Sequence, residues 1–295
     1  MVLLAHISDP HLGPLPPLAA GDLTSKRLIG YLNWKQNRGR LYDRAVVDAL
    51  TADMRAHGAD HIAVTGDLVN LALPAEFDRA LDWLNQLGGP DDVTVIPGNH
   101  DAYVPGAHEA FNRIWRDFME GDDASGVTFP FVRRRGPLAL IGLSTAEATL
   151  PLMATGKVGE AQAAALARVL AETGRQGLFR IVLIHHPPAR GSTVWGRRLT
   201  DARRFRDVIA RRGAELILHG HNHRTSIARL KGPDGPVPVI GAAGASMRPN
   251  GARPGGSYNL FRIEGEPGAY TAAMTERRVT TSGTVETALE RQLVG

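Results

Sequence analysis

The segment Val93–Asp101 constrains the fold of this chain more than any other stretch of the sequence. A short apolar run ends there at Pro97-Gly98 and is followed at once by Asn99, His100 and Asp101. This pattern predicts a buried strand that ends in a tight turn and presents three polar side chains. Open α/β sheets place their chemistry at the carboxyl ends of such strands.

Four other apolar runs end in the same way, with Asp or His shortly after the last apolar residues. They lead into Asp9 and His11, Gly66-Asp67, His185-His186, and Gly220-His221-Asn222-His223. Asp, Asn and His supply the nitrogen and oxygen ligands that many divalent metals prefer. Five strands that deliver these residue types to one sheet edge therefore predict a metal site.

Taken one at a time, these motifs have ordinary structural explanations. Asp9-Pro10 is common turn chemistry, Gly66-Asp67 is compatible with a turn or a helix cap, and His185-His186 precedes two prolines that end a strand. Taken together, they bring desolvated carboxylates and imidazoles face to face, which requires a cation to compensate them. The joint pattern therefore favours a metal site over a purely structural origin.

The order of the predicted elements is typical of an α/β protein. Up to about residue 212, apolar strands alternate with amphipathic helices, one of which begins near Pro74 and ends at Gly88-Gly89. This alternation predicts a mostly parallel sheet. From 226 to 277 apolar and polar residues alternate, which predicts antiparallel strands in a second sheet or a second layer of the same domain. We expect one domain over 1–279 and a short, polar C-terminal tail over 280–295.

Composition limits the classes of function open to the chain. Thirty-four Lys and Arg against 30 Asp and Glu give a net charge of +4, which suits an anionic partner without requiring nucleic acid. No basic groove interleaved with aromatic residues is evident, so nucleic acid is not an expected partner. The absence of cysteine excludes disulfides and thiolate metal ligands. Because no signal-peptide pattern and no apolar run of about 18 residues occurs, we expect a cytoplasmic protein.

The motifs stand in an order that is found in one known family. The residues that carry this order are Asp9-x-His11, Gly66-Asp67, Gly98-Asn99-His100-Asp101, His185 and Gly220-His221-x-His223. In these residues the chain resembles the calcineurin-like metallophosphoesterases, over roughly 3–223. Its length and its His-His-Pro-Pro segment are similar to those of the bacterial cyclic-nucleotide phosphodiesterases of that family. The resemblance implies an α/β fold of four layers, α/β/β/α, with two mixed sheets.

The resemblance also implies a binuclear metal centre. It assigns one metal to Asp9, His11, Asp67 and His223. It assigns the second metal to Asp67, Asn99, His185 and His221, so that Asp67 bridges the pair, with His186 as the alternative to His185. It implies that His100 contacts the scissile phosphate without binding metal and that Asp101 orients the His100 ring.

The implied reaction is hydrolysis of a phosphodiester or phosphomonoester, in which a hydroxide that bridges two divalent ions attacks phosphorus in line. Manganese, iron and zinc all suit the ligand set. The expected substrate is a small anionic phosphate ester, such as a nucleotide-like diester. The alternatives are a pyrophosphate hydrolase of a UDP-sugar or lipid-linked substrate and, outside enzymes, a binding scaffold on the same fold, which missing ligands would mark.

The segment 12–40 is expected to be an insertion that caps the domain. Leu28, Tyr31, Leu32 and Trp34 recur near helical spacing among basic residues, so 24–40 is predicted to form an amphipathic helix with a basic edge. Three roles are open: a cap packed on its own domain, a lid over a nucleotide-like diester, or a patch that contacts membrane lipid. The Arg-rich run 197–212 is either a positive edge of the site or a solvated helix face.

Overall fold

The strands, numbered in chain order, form two six-stranded sheets. The structure, a computed structural model, describes residues 1–23 and 26–295. The first sheet contains, in spatial order, β12 (Val285–Val294), β11 (Thr271–Val279), β10 (Ser257–Glu264), β1 (Val2–Ile7), β2 (His61–Val64) and β3 (Val93–Val95). The second contains β4 (Phe131–Arg135), β5 (Leu138–Gly142), β6 (Phe179–Leu183), β7 (Leu216–His219), β9 (Pro236–Gly241) and β8 (Ser226–Lys231).

Both sheets are mixed. In the first sheet β1, β2 and β3 run parallel, whereas β10, β11 and β12 are added in antiparallel pairings. In the second sheet β5, β6, β7 and β9 run parallel, and β4 and β8 are the antiparallel edge strands. The carboxyl ends of the parallel strands are therefore available as a place for polar side chains in each sheet.

Helices cover the outer faces of the sheets. They are α1 (Lys26–Asn33), α2 (Gly39–Leu41), α3 (Arg44–Ala56), α4 (Pro74–Leu87), α5 (Ala107–Ile114), α6 (Arg116–Met119), α7 (Glu160–Arg175) and α8 (Ala202–Arg212). A π-helical turn, Trp34–Arg38, joins α1 to α2. Buried residues of α3 to α6 pack in the core of the first sheet, and those of α7 and α8 pack on the second.

The second sheet is buried on both faces. Leu140 and Leu218 join the core between the sheets, whereas their neighbours Ile141 and Ile217 join a separate core with Leu166 of α7. Successive side chains of a strand point to opposite faces, so this division places helices on one side and the first sheet on the other. The α/β/β/α arrangement with two mixed sheets is thereby confirmed.

Local signals explain where the helices that carry the first sheet begin. The side chain of Asp43 accepts a hydrogen bond from the amide of Ala45 at 3.0 Å and caps α3. Pro74 is the first residue of α4, where its missing N–H costs nothing. The buried Glu76 carboxylate accepts from the amides of Leu71 and Leu73, both at 3.0 Å, and so closes the turn that precedes α4.

The predicted cap helix is present from Lys26 onward as α1, the π-helical turn and α2. The first two residues of the predicted 24–40 segment lie outside the described residues. None of the helices in the described part of the chain combines the length and the hydropathy needed to span a bilayer.

Three expectations for the C-terminal third are wrong. The segment 280–295 is not a tail, because Val285–Val294 forms β12 and pairs antiparallel with β11 along the edge of the first sheet. The strands after residue 226 also do not form a sheet of their own: β8 and β9 extend the second sheet, and β10 to β12 extend the first. In addition, β9 pairs parallel with β7, where antiparallel pairing was expected.

Candidate metal centre

The carboxyl ends of five parallel strands carry the seven predicted metal ligands. In the first sheet, Asp9 and His11 follow β1, Asp67 follows β2 and Asn99 follows β3. In the second sheet, His185 follows β6, and His221 and His223 follow β7. The structure brings side chains from both sheets to one place, and the seven residues form two adjoining groups.

The first group contains Asp9, His11, Asp67 and His223, whose candidate ligand atoms all lie within 4.8 Å of one another. Nε2 of His223 lies 3.1 Å from Oδ1 of Asp9 and 3.2 Å from Nε2 of His11. Nε2 of His11 lies 3.8 Å from Oδ2 of Asp67.

The second group shares Asp67 with the first. Oδ2 of Asp67 lies 3.4 Å from Nε2 of His185. Oδ1 of Asn99 lies 3.2 Å from Nε2 of His185 and 2.8 Å from Nδ1 of His221. Because one oxygen of Asp67 faces both His11 and His185, this carboxylate occupies the position between the two groups.

Backbone carbonyls determine which ring nitrogen of each imidazole faces the centre. Nδ1 of His11 lies 3.1 Å from the carbonyl oxygen of Val69, and Nδ1 of His185 lies 2.6 Å from that of Thr65. A carbonyl only accepts hydrogen bonds, so each of these nitrogens carries the proton and Nε2 is left with its lone pair. Such outer hydrogen bonds are what orient metal-binding histidines.

In His221 a backbone carbonyl binds the other ring nitrogen, so Nδ1 faces the centre instead of Nε2. Its Nε2 donates to the carbonyl oxygen of Arg197 at 2.8 Å, which leaves Nδ1 to face Asn99. Nδ1 of His223 lies 3.2 Å from the hydroxyl of Tyr42, so its Nε2 faces Asp9 and His11. The aromatic ring of Tyr42 also stacks on His11.

His186 has no ring nitrogen left for a metal. Its Nδ1 accepts from the hydroxyl of Thr145 at 2.7 Å, and its Nε2 donates to the carbonyl oxygen of Ala154 at 3.2 Å. His185 is therefore the member of the pair that the structure places among the candidate ligands.

The chemistry of these groups fits two divalent cations. Oδ1 of Asp9 is buried without a hydrogen-bond partner although it lies 3.1 Å from His223. Burial lowers the pKa of His185, but the Asp67 carboxylate outweighs that effect and raises the pKa to about 9. Buried carboxylates that face one another need positive charge among them, either as a proton on a ring nitrogen, which the raised pKa of His185 reflects, or as a divalent cation. No thiolate is present, which suits manganese, iron or zinc.

The backbone at the candidate ligands is strained. Seven non-glycine residues in 1–23 and 26–295 have positive φ, and five of them are candidate ligands. These five are Asp9 (φ 51°), His11 (37°), Asp67 (57°), His221 (71°) and His223 (53°). Such conformations persist only where the surroundings impose them, and they cluster at functional sites.

Two glycines allow the turns to approach one another. A Cβ at Gly98 would collide with Oδ1 of Asp67 and lie 2.7 Å from Cε1 of His185. A Cβ at Gly220 would collide with Oδ2 of Asp9. Larger residues at either position would displace the carboxylates, so the glycines of these two motifs are steric requirements of the site.

His100 lies beside the two groups and is held by the backbone. Its Nδ1 donates to the carbonyl oxygen of Asn70 at 2.6 Å, and its ring stacks on Tyr103. Its Nε2 accepts from Nη1 of Arg38 at 2.8 Å. Burial and the Arg38 charge lower the pKa of His100 to about 3, so the ring is neutral at pH 7.

The role predicted for Asp101 is wrong. Its carboxylate does not contact the His100 ring; instead it accepts four backbone hydrogen bonds. The donors are the amides of Asp67 (2.8 Å), Leu68 (2.9 Å), Val69 (3.1 Å) and Gly98 (2.8 Å). Burial and the Asp67 charge raise the pKa of Asp101 to about 7, while the amide donors oppose that rise. Asp101 therefore holds together the two turns that carry Asp67 and Asn99.

Sequence reasoning missed three residues that build this site. Arg38 and Tyr42 come from the cap segment and its junction with α3, and the carbonyl of Asn70 comes from the loop after Asp67. The basic composition of the cap segment was the available signal for Arg38, whereas Tyr42 lies in extended backbone just after α2 and belongs to no periodic pattern. A backbone carbonyl leaves no signal in side-chain chemistry.

Known structures share the fold at low sequence identity. A dimetal phosphatase from Danio rerio matches with 13% identity and a TM-score of 0.64, over 99% of this chain and 98% of that one. A purple acid phosphatase from yellow lupin (Lupinus luteus) seeds matches with 11% identity and a TM-score of 0.61, over 98% of this chain and 53% of that one.

A putative 5'-nucleotidase from Staphylococcus aureus matches with 13% identity and a TM-score of 0.51, over 99% of this chain and 54% of that one. The chain thus spans about half the length of the last two proteins. No curated protein matches the chain in sequence.

A family model described as calcineurin-like phosphoesterase matches residues 2–225, which include every candidate ligand. The chain belongs to the calcineurin-like phosphoesterase family and is a metal-dependent phosphoric ester hydrolase.

Proposed function

We propose that the protein hydrolyses an anionic phosphodiester with two divalent cations. One observation carries the proposal: Oδ2 of Asp67 lies 3.8 Å from Nε2 of His11 and 3.4 Å from Nε2 of His185. A single buried carboxylate oxygen thereby faces both groups of candidate ligands. This is the arrangement that a two-metal hydrolytic site requires.

The residues proposed to hold the cations are those that the geometry groups together. Asp9, His11, Asp67 and His223 would hold one, and Asp67, Asn99, His185 and His221 would hold the other. Divalent cations bound in this way lower the pKa of a coordinated water toward about 7 and so supply a nucleophile at neutral pH. The two carboxylates contribute a charge of only −2 to the site, so a doubly occupied site stays positive and attracts an anionic ester.

His100 and Arg38 are proposed to hold the phosphoryl group. The hydrogen bond to Asn70 directs Nε2 of His100 away from its own loop, toward the side from which Arg38 enters. The Arg38 guanidinium carries fixed positive charge and several donors, which suits phosphoryl oxygens as their charge increases in the transition state. The His100 ring is neutral and its one proton lies on Nδ1, so solvent supplies the proton for the leaving alkoxide.

A binding scaffold on the same fold, the alternative expected outside enzymes, has no observation in its favour. Loss of ligands would mark such a scaffold, and all seven candidate ligands lie together in this chain. Hydrolysis of a UDP-sugar or lipid-linked pyrophosphate is the alternative within enzymes, and it uses the same site. These two enzyme functions differ in the group that is attached to the phosphate.

Metal stoichiometry and turnover test the proposal together. Protein stripped with a chelator is reloaded with manganese, iron or zinc, and bound metal is counted by mass spectrometry. We expect two ions per chain, hydrolysis of bis(p-nitrophenyl) phosphate that depends on them, and slower hydrolysis of p-nitrophenyl phosphate. Asp67→Ala should lose both ions and turnover, whereas Asp78→Ala, which removes an exposed carboxylate from α4, should lose neither.

Chelator-resistant hydrolysis, or one ion per chain with full turnover, would contradict the two-metal proposal. Faster hydrolysis of the monoester than of the diester would overturn the assignment as a phosphodiesterase and leave the metal centre standing. Two bound ions with no turnover of any phosphate ester would favour the scaffold.

A further inference from the structure

Exposed apolar side chains are concentrated in three segments of the protein. Among the described residues, nine large apolar side chains are exposed, and seven of these lie in 26–41, 149–154 or 190–198. They are Leu28, Ile29, Leu32, Leu150, Leu152, Val194 and Trp195, with Leu150 77%, Leu152 87% and Trp195 67% exposed. A soluble surface rarely gathers such residues without a binding role.

Hydrogen bonds join the three segments to one another. Nζ of Lys26 donates to the hydroxyl of Thr149 at 2.8 Å and to the carbonyl oxygen of Met153 at 3.3 Å, which joins the cap to the second segment. The amide of Ala154 donates to the carbonyl oxygen of Gly196 at 2.9 Å, which joins the second segment to the third. We call 26–41, 149–154 and 190–198 together the docking surface.

The docking surface adjoins the metal centre. Arg38 of its first segment contacts His100, and the carbonyl oxygen of Arg197 in its third segment accepts from His221. The side chain of Asn222, between two candidate ligands, donates to the carbonyl oxygen of Ser192 at 2.8 Å. A partner seated on this surface therefore lies at the entrance to the site.

The charge of the docking surface is entirely positive. Its three segments contain eight Lys and Arg and no Asp or Glu, whereas the whole chain has 34 against 30; Glu147 lies just outside the second segment. Five of the cations are exposed: Lys35, Arg40, Arg190, Arg197 and Arg198. A cavity of about 430 Å³, lined by Arg190, Arg198, Arg203, Arg206 and Trp195 among others, opens beside these residues.

We propose that the docking surface binds the face of an anionic lipid bilayer and that the substrate is an amphiphilic phosphate ester drawn from that bilayer. Protruding leucines and a tryptophan insert among acyl chains, while Lys and Arg contact anionic headgroups. Nucleic acid is a poorer fit, because single strands stack on several aromatic side chains and Trp195 is the one strongly exposed aromatic residue in the described segments. The substrate part of the inference rests on the proposed function, and the docking part does not.

Vesicle binding tests the docking part without any turnover. The full chain is sedimented with phosphatidylcholine vesicles that contain phosphatidylglycerol, and with pure phosphatidylcholine vesicles. We expect binding to the anionic vesicles alone and a blue shift of tryptophan fluorescence that Trp195→Phe removes. The variant Leu150→Ser/Leu152→Ser/Trp195→Ser should bind at least about tenfold more weakly. Ile227→Ser changes an exposed apolar residue outside the surface and should bind as the parent does.

Controls separate loss of docking from loss of the fold. The triple variant should keep the thermal midpoint of the parent, because its three side chains are exposed. If it does not, Lys35→Glu/Arg40→Glu replaces it and should weaken binding to anionic vesicles by a similar factor. The docking part of the inference would be overturned if the parent failed to bind anionic vesicles or if the folded variants bound them as well as the parent does. Binding of only nucleic acid or protein to this surface would overturn it as well.

Turnover tests the substrate part separately. Hexadecyl p-nitrophenyl phosphate in anionic vesicles should be hydrolysed with a kcat/KM at least about tenfold above that for soluble bis(p-nitrophenyl) phosphate, and the triple variant should lose this advantage. Equal kcat/KM values would overturn the amphiphilic substrate and leave the proposed function standing. Vesicle binding without hydrolysis of either ester would instead count against the proposed function.

Discussion

Asp101→Asn distinguishes a structural role from a catalytic one. In the structure each oxygen of the Asp101 carboxylate accepts two backbone amides: Oδ1 those of Leu68 and Val69, and Oδ2 those of Asp67 and Gly98. Asparagine keeps one oxygen and replaces the other with an NH₂ group, which is itself a donor. Whichever way the amide turns, two backbone donors lose their acceptor inside a buried site.

The cost follows from these contacts. A hydrogen bond to a charged group contributes about 1.5–3 kcal/mol, and a buried donor without a partner costs a similar amount. Two lost bonds therefore lower the free energy of unfolding by about 3–6 kcal/mol at a pH above about 7, where Asp101 is ionised. Since domains of this kind are stable by about 5–15 kcal/mol, the loss is large enough to measure by denaturant titration.

Chemical unfolding of the parent, Asp101→Asn and Asp78→Asn measures this cost. The Asp78 variant makes the same chemical change on the exposed side of α4 and should stay within about 0.5 kcal/mol of the parent. An Asp101 variant that unfolds at the parent's midpoint, yet turns over substrate far more slowly, would refute the structural role. Asp101 would then orient His100 through a contact that the structure does not contain.

Three further predictions concern the cap and the stability of the first sheet. Arg38→Ala should lower kcat/KM for a soluble diester about 10–100-fold at unchanged metal content. The control Arg55→Ala, on the exposed face of α3, should leave kcat/KM unchanged. An equal loss of kcat/KM in both variants would contradict a role of Arg38 in binding phosphate. Asp53→Asn should cost about 3 kcal/mol at pH 7, because Oδ1 of Asp53 pairs with Arg277 at 2.8 Å. Burial raises the pKa of Asp53, but the Arg277 hydrogen bonds outweigh burial and hold the pKa below its usual value. The difference in the free energy of unfolding between the parent and Asp53→Asn should therefore become smaller as the pH falls below about 4. Burial and nearby arginines lower the pKa of His61 to about 3. As the pH falls below about 6.5, His61 is therefore protonated in the unfolded chain but stays neutral in the folded chain, which destabilises the fold. Between pH 7 and pH 4.5 the free energy of unfolding of His61→Gln should therefore fall by about 2–3 kcal/mol less than that of the parent, as measured by denaturant titration. An equal fall for the two proteins would contradict this.

The sequence was informative wherever chemistry and strand ends coincide. Asp9, Asp67 and Asn99 each follow an apolar run, and parallel strands place their carboxyl ends at one sheet edge, so the grouping of these residues follows from their positions alone. His185 was preferred over His186 from the sequence because it directly continues the strand, and the partners of each ring in the structure show which nitrogen is free.

Contacts between distant backbones could not be predicted in this way. Asp101 follows His100 in the chain, and that adjacency suggested a contact between side chains; the carboxylate instead reaches the amides of 67–69. The guanidinium of Arg38 reaches His100 only because the cap folds over the first sheet, and no local pattern specifies that path.

Sheet membership of the last strands was equally invisible to pattern analysis. Alternation of apolar residues predicts strands near 226–230 and 258–263, but it does not show which sheet each one joins. β12 was missed because an edge strand needs few buried residues, and within it Leu293 is the one buried side chain.

The left-handed backbone at Asp9, His11, Asp67, His221 and His223 influences how such a protein can evolve. Each non-glycine residue in that conformation costs about 1–2 kcal/mol, so the five together offset a substantial part of the net stability of a domain. Glycine at any of these positions would relieve strain and abolish a candidate ligand in the same step. Substitution of a candidate ligand by glycine is therefore favoured by folding energetics at all five positions, and selection on stability alone would remove the ligands.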